Sequence, residues 1–234
     1  MNVKLASALV MAAAITLAGC AASPSSNTPP TTAPPVETAP TGEAEAVWLD
    51  GGRMFVIVTW GSSSCLPFVT DVSGAGQQVS VTMTDTLDGA EQRVCTADYT
   101  ARGTVVGTPE GVDPHLDATV QVAYDDQRLS IELDGDDELT GVQGSITDYL
   151  PSAAWMEDEQ GIVLLTWGSS TCTPVVENIA ESATDVTVTF ASSQGACTMD
   201  MVPRATILGL SQQGEDRALT LVGDNLDARI QVLG

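Results

Sequence analysis

The alternation of apolar and polar positions divides the chain into short β segments. Residues 78–84 place Val79, Val81 and Met83 on one face and Ser80, Thr82 and Thr84 on the other, the two-residue period of a half-buried strand. The alternation returns in Val186, Val188 and Phe190 against Thr187 and Thr189. Residues 54–60 are β-branched and aromatic, and 162–165 are apolar without a break, which predicts a strand buried on both faces. Further strands are predicted at 104–106, 118–122 and 129–133, with fainter counterparts at 206–208, 218–222 and 229–233. Gly, Asp and Pro separate them, and nothing suggests an amphipathic helix longer than two turns. Five or six short strands per unit suit a small sandwich or partly open barrel.

The segments repeat. Thr59-Trp60-Gly61-Ser62-Ser63-Ser64-Cys65 returns as Thr166-Trp167-Gly168-Ser169-Ser170-Thr171-Cys172, and Trp48 and Pro67 return as Trp155 and Pro174, all at one offset. After a five-residue contraction, Cys95-Thr96-Ala97-Asp98 with Arg102 matches Cys197-Thr198-Met199-Asp200 with Arg204. Internal repetition of this kind predicts two homologous β domains, residues 46–145 and 152–234.

Each copy carries two cysteines at corresponding positions. Four cysteines allow three pairings, and duplication favours Cys65–Cys95 and Cys172–Cys197, because each ancestral unit had to fold alone. A Cys₄ zinc site is the rival, weakened by the lack of any C-x₂-C pair.

The Ser-rich run following Trp-Gly lacks the second glycine of a nucleophile elbow. The single histidine, His115, has no counterpart in the second copy, so a feature present twice cannot depend on it. The expected role is structural: Trp beside the disulfide, Gly at a backbone reversal, and hydroxyls bonded to turn amides. Ser62, Ser63, Ser64, Ser169, Ser170 and Thr171 also qualify as a displayed contact loop. Asp98 with Arg102 and Asp200 with Arg204 are expected as ion pairs bracing each domain, or as arginines facing a carboxylate ligand. Asp134, Asp136, Asp137 and Glu138, together with Asp125-Asp126 and Glu157-Asp158-Glu159, form an acidic cluster. It reads as a solvated turn, with a Ca²⁺ site between the domains as the alternative.

Composition narrows the function. The 234 residues carry 31 acids against 8 bases, a formal charge of −23, which excludes nucleic acid as a partner. Beyond Lys4 there are seven arginines and no lysine. Residues 1–19 have that one cation, an uncharged run too short to span a bilayer, and small residues ahead of Cys20, the pattern of a signal peptide. Residues 20–45 are rich in Thr, Pro, Ala and Glu with almost nothing to bury. Extended at about 3.1 Å per residue, they form a stalk of roughly 80 Å.

Leu17-Ala18-Gly19-Cys20 resembles the lipobox of bacterial lipoproteins. That resemblance implies a diacylglycerol on Cys20, cleavage before it, and anchoring on the outer face of the cell membrane. With the stalk and the paired WGSSxC…CTxD units, the whole chain resembles envelope lipoproteins of high-G+C Gram-positive bacteria, a resemblance that implies location and carries no activity. The expected function is non-catalytic binding by two β domains, with no cofactor and with a wall polymer or envelope protein as partner. An envelope hydrolase using paired carboxylates, or a Ca²⁺-stabilised structural module, are the alternatives.

Overall fold

In the computed structural model the described residues are 43–86, 94–157, 161–211 and 217–234. The signal peptide, Cys20 and nearly all of the stalk lie outside them, as do Asp158 and Glu159. Apart from a three-residue turn of 3-10 helix at Asp50–Gly52, the described residues form strands and loops only.

Each repeat contributes seven strands in the same order. The first has β1 Glu45–Leu49, β2 Met54–Gly61, β3 Phe68–Ala75, β4 Gln78–Thr84, β5 Thr100–Gly107, β6 Ala118–Tyr124 and β7 Gln127–Leu133. The second has β8 Ser152–Trp155, β9 Gly161–Gly168, β10 Val175–Glu181, β11 Asp185–Ala191, β12 Val202–Gly209, β13 Ala218–Val222 and β14 Ala228–Leu233. The antiparallel trio β1-β2-β5 faces the four-stranded sheet β3-β4-β6-β7, in which β4 and β6 run parallel. The trio β8-β9-β12 and the four strands β10-β11-β13-β14 repeat this arrangement. The fold is all-β, two tandem sandwich-like units with one disulfide each: Cys65–Cys95 and Cys172–Cys197, both with Cα atoms 5.6 Å apart.

The two-residue period explains why β1, β2, β8 and β9 are apolar at nearly every position. Ala46, Trp48, Phe55 and Ile57 point into the first repeat's core with Val79, Val81, Val120 and Val122. Ala153, Trp155, Ile162 and Leu164 do the same in the second, against Val186, Val188, Leu219 and Leu221. The intervening residues Val47, Leu49, Val56 and Val58 meet Ala154, Met156, Val163 and Leu165 in a third core, where the two trios pack back to back. Burial on both faces, expected for residues 162–165, therefore extends to their counterparts in β2.

One pairing differs between the repeats. In the second, β14 pairs in parallel with β8, Val232 opposite Ala153 and Leu233 opposite Ala154, so that all seven strands join in one curled sheet. In the first, the corresponding β7 and β1 lie side by side and belong to separate sheets. There a side chain takes the place of the ladder: Trp48 Nε1 donates to the Asp134 carbonyl at 2.8 Å.

Candidate functional site

The motif shared by both repeats is a loop gripped from two sides. The Asp98 carboxylate accepts from the Ser63 amide at 3.3 Å and from the Thr96 hydroxyl. Ser62 and Thr96 share a 2.7 Å hydroxyl hydrogen bond, and the Thr96 amide donates to Ser64 Oγ at 3.0 Å. The second repeat reproduces this: Asp200 accepts from the Ser170 amide at 3.2 Å and from Thr198, Ser169 and Thr198 share a 2.7 Å bond, and the Thr198 amide donates to Thr171 Oγ1 at 3.1 Å. Hydrogen bonds from Ser63, then from Thr96, hold the Asp98 carboxyl at about 2; Ser170, then Thr198, do the same for Asp200, also at about 2.

The arginines grip the loop's carbonyls. Arg102 donates to the Cys65 carbonyl at 2.7 Å and the Trp60 carbonyl at 3.2 Å, and Arg204 to those of Cys172 at 2.7 Å and Trp167 at 3.0 Å. The expected ion pairs Asp98–Arg102 and Asp200–Arg204 are absent from the salt bridges of the described residues. A four-residue spacing brings charges together on a helix, whereas in extended chain it separates them by about 13 Å. Acid and base therefore bracket the loop, the acid taking amides and the base taking carbonyls. Arg102 is 95% buried on neutral oxygens, and its bond to the Tyr124 hydroxyl at 3.2 Å leads on to Asp85, which accepts from that hydroxyl at 3.2 Å. Burial pulls the Arg204 guanidinium below its ordinary value.

The glycine of Trp-Gly has a different role from the one expected. Neither Gly61 nor Gly168 is in the left-handed region. A Cβ on Gly61 would lie 2.6 Å from the Arg102 guanidinium carbon, and one on Gly168 would lie 2.7 Å from Arg204 Nη2, so the side chain is omitted to let the guanidinium lie against the strand. The tryptophan rings meet tyrosines: Trp60 stacks on Tyr99 at 6.1 Å, and Trp167 meets Tyr149 edge-on at 5.2 Å. Tyr149 comes from the segment between the repeats, at φ +56°, and serves where repeat equivalence would put the exposed Met201. The signal for the clamp was present in the sequence as an arginine recurring at the same distance from the second cysteine, Arg102 after Cys95 and Arg204 after Cys197.

The clefts lie elsewhere, at the two ends of the β1/β7 seam, and the first of them is shared with the second repeat through Ala154, Trp155, Met156, Glu157, Leu233 and Gly234. At one end is a cavity of about 410 Å³ lined by Trp48, Trp155, Leu133 and Leu233, with Asp134, Asp136 and Asp137 beside them. At the other is a cleft of about 570 Å³ lined by Trp60, Tyr99, Tyr124, Gln127, Arg128 and Ser130. The sequence reading did not locate either, because nothing in the sequence marks one seam as zipped and the other as unzipped.

Asp134, Asp136, Asp137 and Glu157 of the acidic cluster border the first cavity; Glu138 is exposed, its amide donating to Asp136 Oδ1 at 2.8 Å. Among the described residues no three His, Cys, Asp or Glu side chains come together as a metal site. His115 faces two acceptors, Asp113 Oδ1 at 2.8 Å from Nδ1 and the Leu139 carbonyl at 2.7 Å from Nε2, which pins the loop beside the cluster. Comparison with protein-family models, with curated proteins and with solved structures finds no match to this chain.

Proposed function

We propose that this chain is a lipid-anchored protein of the outer face of a bacterial cell membrane, that it works by binding rather than turnover, and that its binding cleft is the seam between β1 and β7. The observation that carries this reading is the difference between two copies of one unit: the second copy is closed by backbone pairing, while the first is held apart over two cavities. Clefts of several hundred Å³ with apolar and aromatic walls and a few polar groups are the usual form of a ligand site.

The paired loops support binding over chemistry. Their serines and threonines are engaged with one another and with Asp98 or Asp200. A carboxylate held at about 2 is an acceptor and a poor base at neutral pH. Location is supported by the lipobox-like tetrad ending in Cys20, by the Thr/Pro-rich stretch after it, and by two disulfides, which persist in oxidising compartments.

The test is crosslinking on intact cells, with mass spectrometry of what is captured from wall polymer and from envelope protein. The wild type is expected to capture a partner, and Ser130→Trp with Glu132→Trp, which place bulk on the exposed rim of the seam, to lose it without a change in melting temperature. Undiminished capture by that variant overturns the cleft assignment. Recovery of a Cys20→Ser variant in the membrane fraction overturns the lipid anchor.

A further inference from the structure

We propose that the cavity of about 410 Å³ at the β1/β7 seam receives an organic cation: an ammonium group on a compact apolar body, presented by the envelope partner. This names the ligand class of the cleft proposed above and rests on that reading.

The floor and the rim make different demands. Trp48 and Trp155, the equivalent tryptophans of the two repeats, line the cavity with Leu133 and Leu233, so the floor is apolar and favours an apolar body. Glu132, Asp134, Asp136, Asp137 and Glu157 also line it, and no Lys, Arg or His does. None of these five carboxylates takes part in a salt bridge of the described residues. The potential at the mouth is therefore strongly negative, and an apolar ligand bearing a positive group complements both surfaces.

The cation is organic rather than a bare metal ion for a geometric reason. A hard cation needs six to eight oxygens converging within about 2.3–2.6 Å. The described residues do not assemble even three acidic, histidine or cysteine side chains as such a site, and Asp136 Oδ1 is occupied by the Glu138 amide. Carboxylates spread around a rim match a diffuse ammonium charge instead. The Trp48 indole is held by the Asp134 carbonyl, so aromatic floor and acidic rim are fixed relative to each other before a ligand arrives.

The probe is phenethylammonium chloride, titrated into the full chain at low ionic strength while tryptophan emission is followed, with 2-phenylethanol as the neutral isostere. Saturable binding of the ammonium is expected, with the alcohol about tenfold weaker or worse. The variant Asp134→Asn/Asp136→Asn/Asp137→Asn should lose about tenfold in affinity at unchanged melting temperature. The charge-matched control Asp71→Asn/Glu110→Gln/Asp126→Asn, whose residues lie outside the cavity, should bind like the wild type. Should the triple variant fail to fold, Asp137→Asn alone is read in its place. Equal affinity for alcohol and ammonium, equal losses in variant and control, or no saturation in the millimolar range each overturn the proposal. If capture on intact cells still depends on the seam while phenethylammonium fails, only the ligand class falls; if both fail, the cleft itself is wrong.

Discussion

Gly103 and Ala205 stand at equivalent positions in the two repeats and touch each other: a Cβ on Gly103 would lie 2.8 Å from the Ala205 Cβ. Contact between equivalent residues is the mark of a two-fold axis, here one inside a single chain, where β5 passes β12. Such an axis admits one methyl group and not two, so the duplicated halves have diverged into complementary partners. Gly103→Ala is expected to destabilise the protein by about 1–3 kcal/mol through overpacking, and the exchange Gly103→Ala/Ala205→Gly to recover most of that loss. Urea titrations of the four proteins of the cycle measure it.

The shared third core predicts one unfolding transition for both repeats. Val56 and Val58 are buried in one core with Val163 and Leu165 of the other repeat. Calorimetry of the described unit should show a single peak, and Cys65→Ser/Cys95→Ser should lower that whole peak, at a cost of about 3–4 kcal/mol for its 30-residue loop. Two separated peaks, one unmoved by the substitution, would mean that the repeats melt alone.

The arginine clamp predicts a residue-specific loss. Arg102→Ala leaves the buried Cys65 carbonyl and the half-buried Trp60 carbonyl without their donor, and a cost of about 2–4 kcal/mol is expected. Arg102→Lys should recover little, because one ammonium cannot reproduce the guanidinium fork across two carbonyls. Gly61→Ala should destabilise by driving the guanidinium out, and its effect should shrink in the Arg102→Ala background. Denaturant midpoints of the singles and the double decide this.

Acid sensitivity follows from Asp98 and Asp200. Their carboxyls titrate at about 2 in the folded protein against 3.8 ordinarily, so each contributes stability that is complete above 3.8 and lost as pH falls through about 2. Asp98→Asn/Asp200→Asn should flatten the dependence of the urea midpoint on pH between about 4 and 2. His115 titrates in the opposite sense: hydrogen bonds to Asp113, then to Leu139, raise it above 6.5, so its contribution is present below 6.5 and disappears as pH rises through the folded value. An NMR titration of the single imidazole reads this directly.

The sequence disclosed those parts of the fold where burial follows the two-residue period. The predicted strands at 78–84 and 218–222 coincide with β4 and β13, and duplication selected the observed disulfide pairing. It hid β3 and β10, which are largely exposed and carry bulges at Val69/Asp71 and Val176/Asn178 that break the alternation. The short β1 and β8 were missed because four or five residues, EAVWL and SAAW, with Ala and a Glu or Ser among them, are too few and too poor in β-branched side chains to stand out as the unbroken apolar runs of β2 and β9 do. At the loops, the recurring Asp and Arg were visible, but their partners were backbone groups, which sequence does not mark. The seam was hidden for a related reason: Leu133 and Val232 are both apolar, and only the ladder from Val232 to Ala153 tells the closed copy from the open one.

The most direct test of the open seam as the binding cleft uses a photo-crosslinking amino acid at Glu132 and, separately, at its equivalent Gln231, in protein displayed on intact cells. Capture of a partner from position 132 and none from position 231 is predicted. Equal capture from the two positions, or capture from 231 alone, would contradict the account.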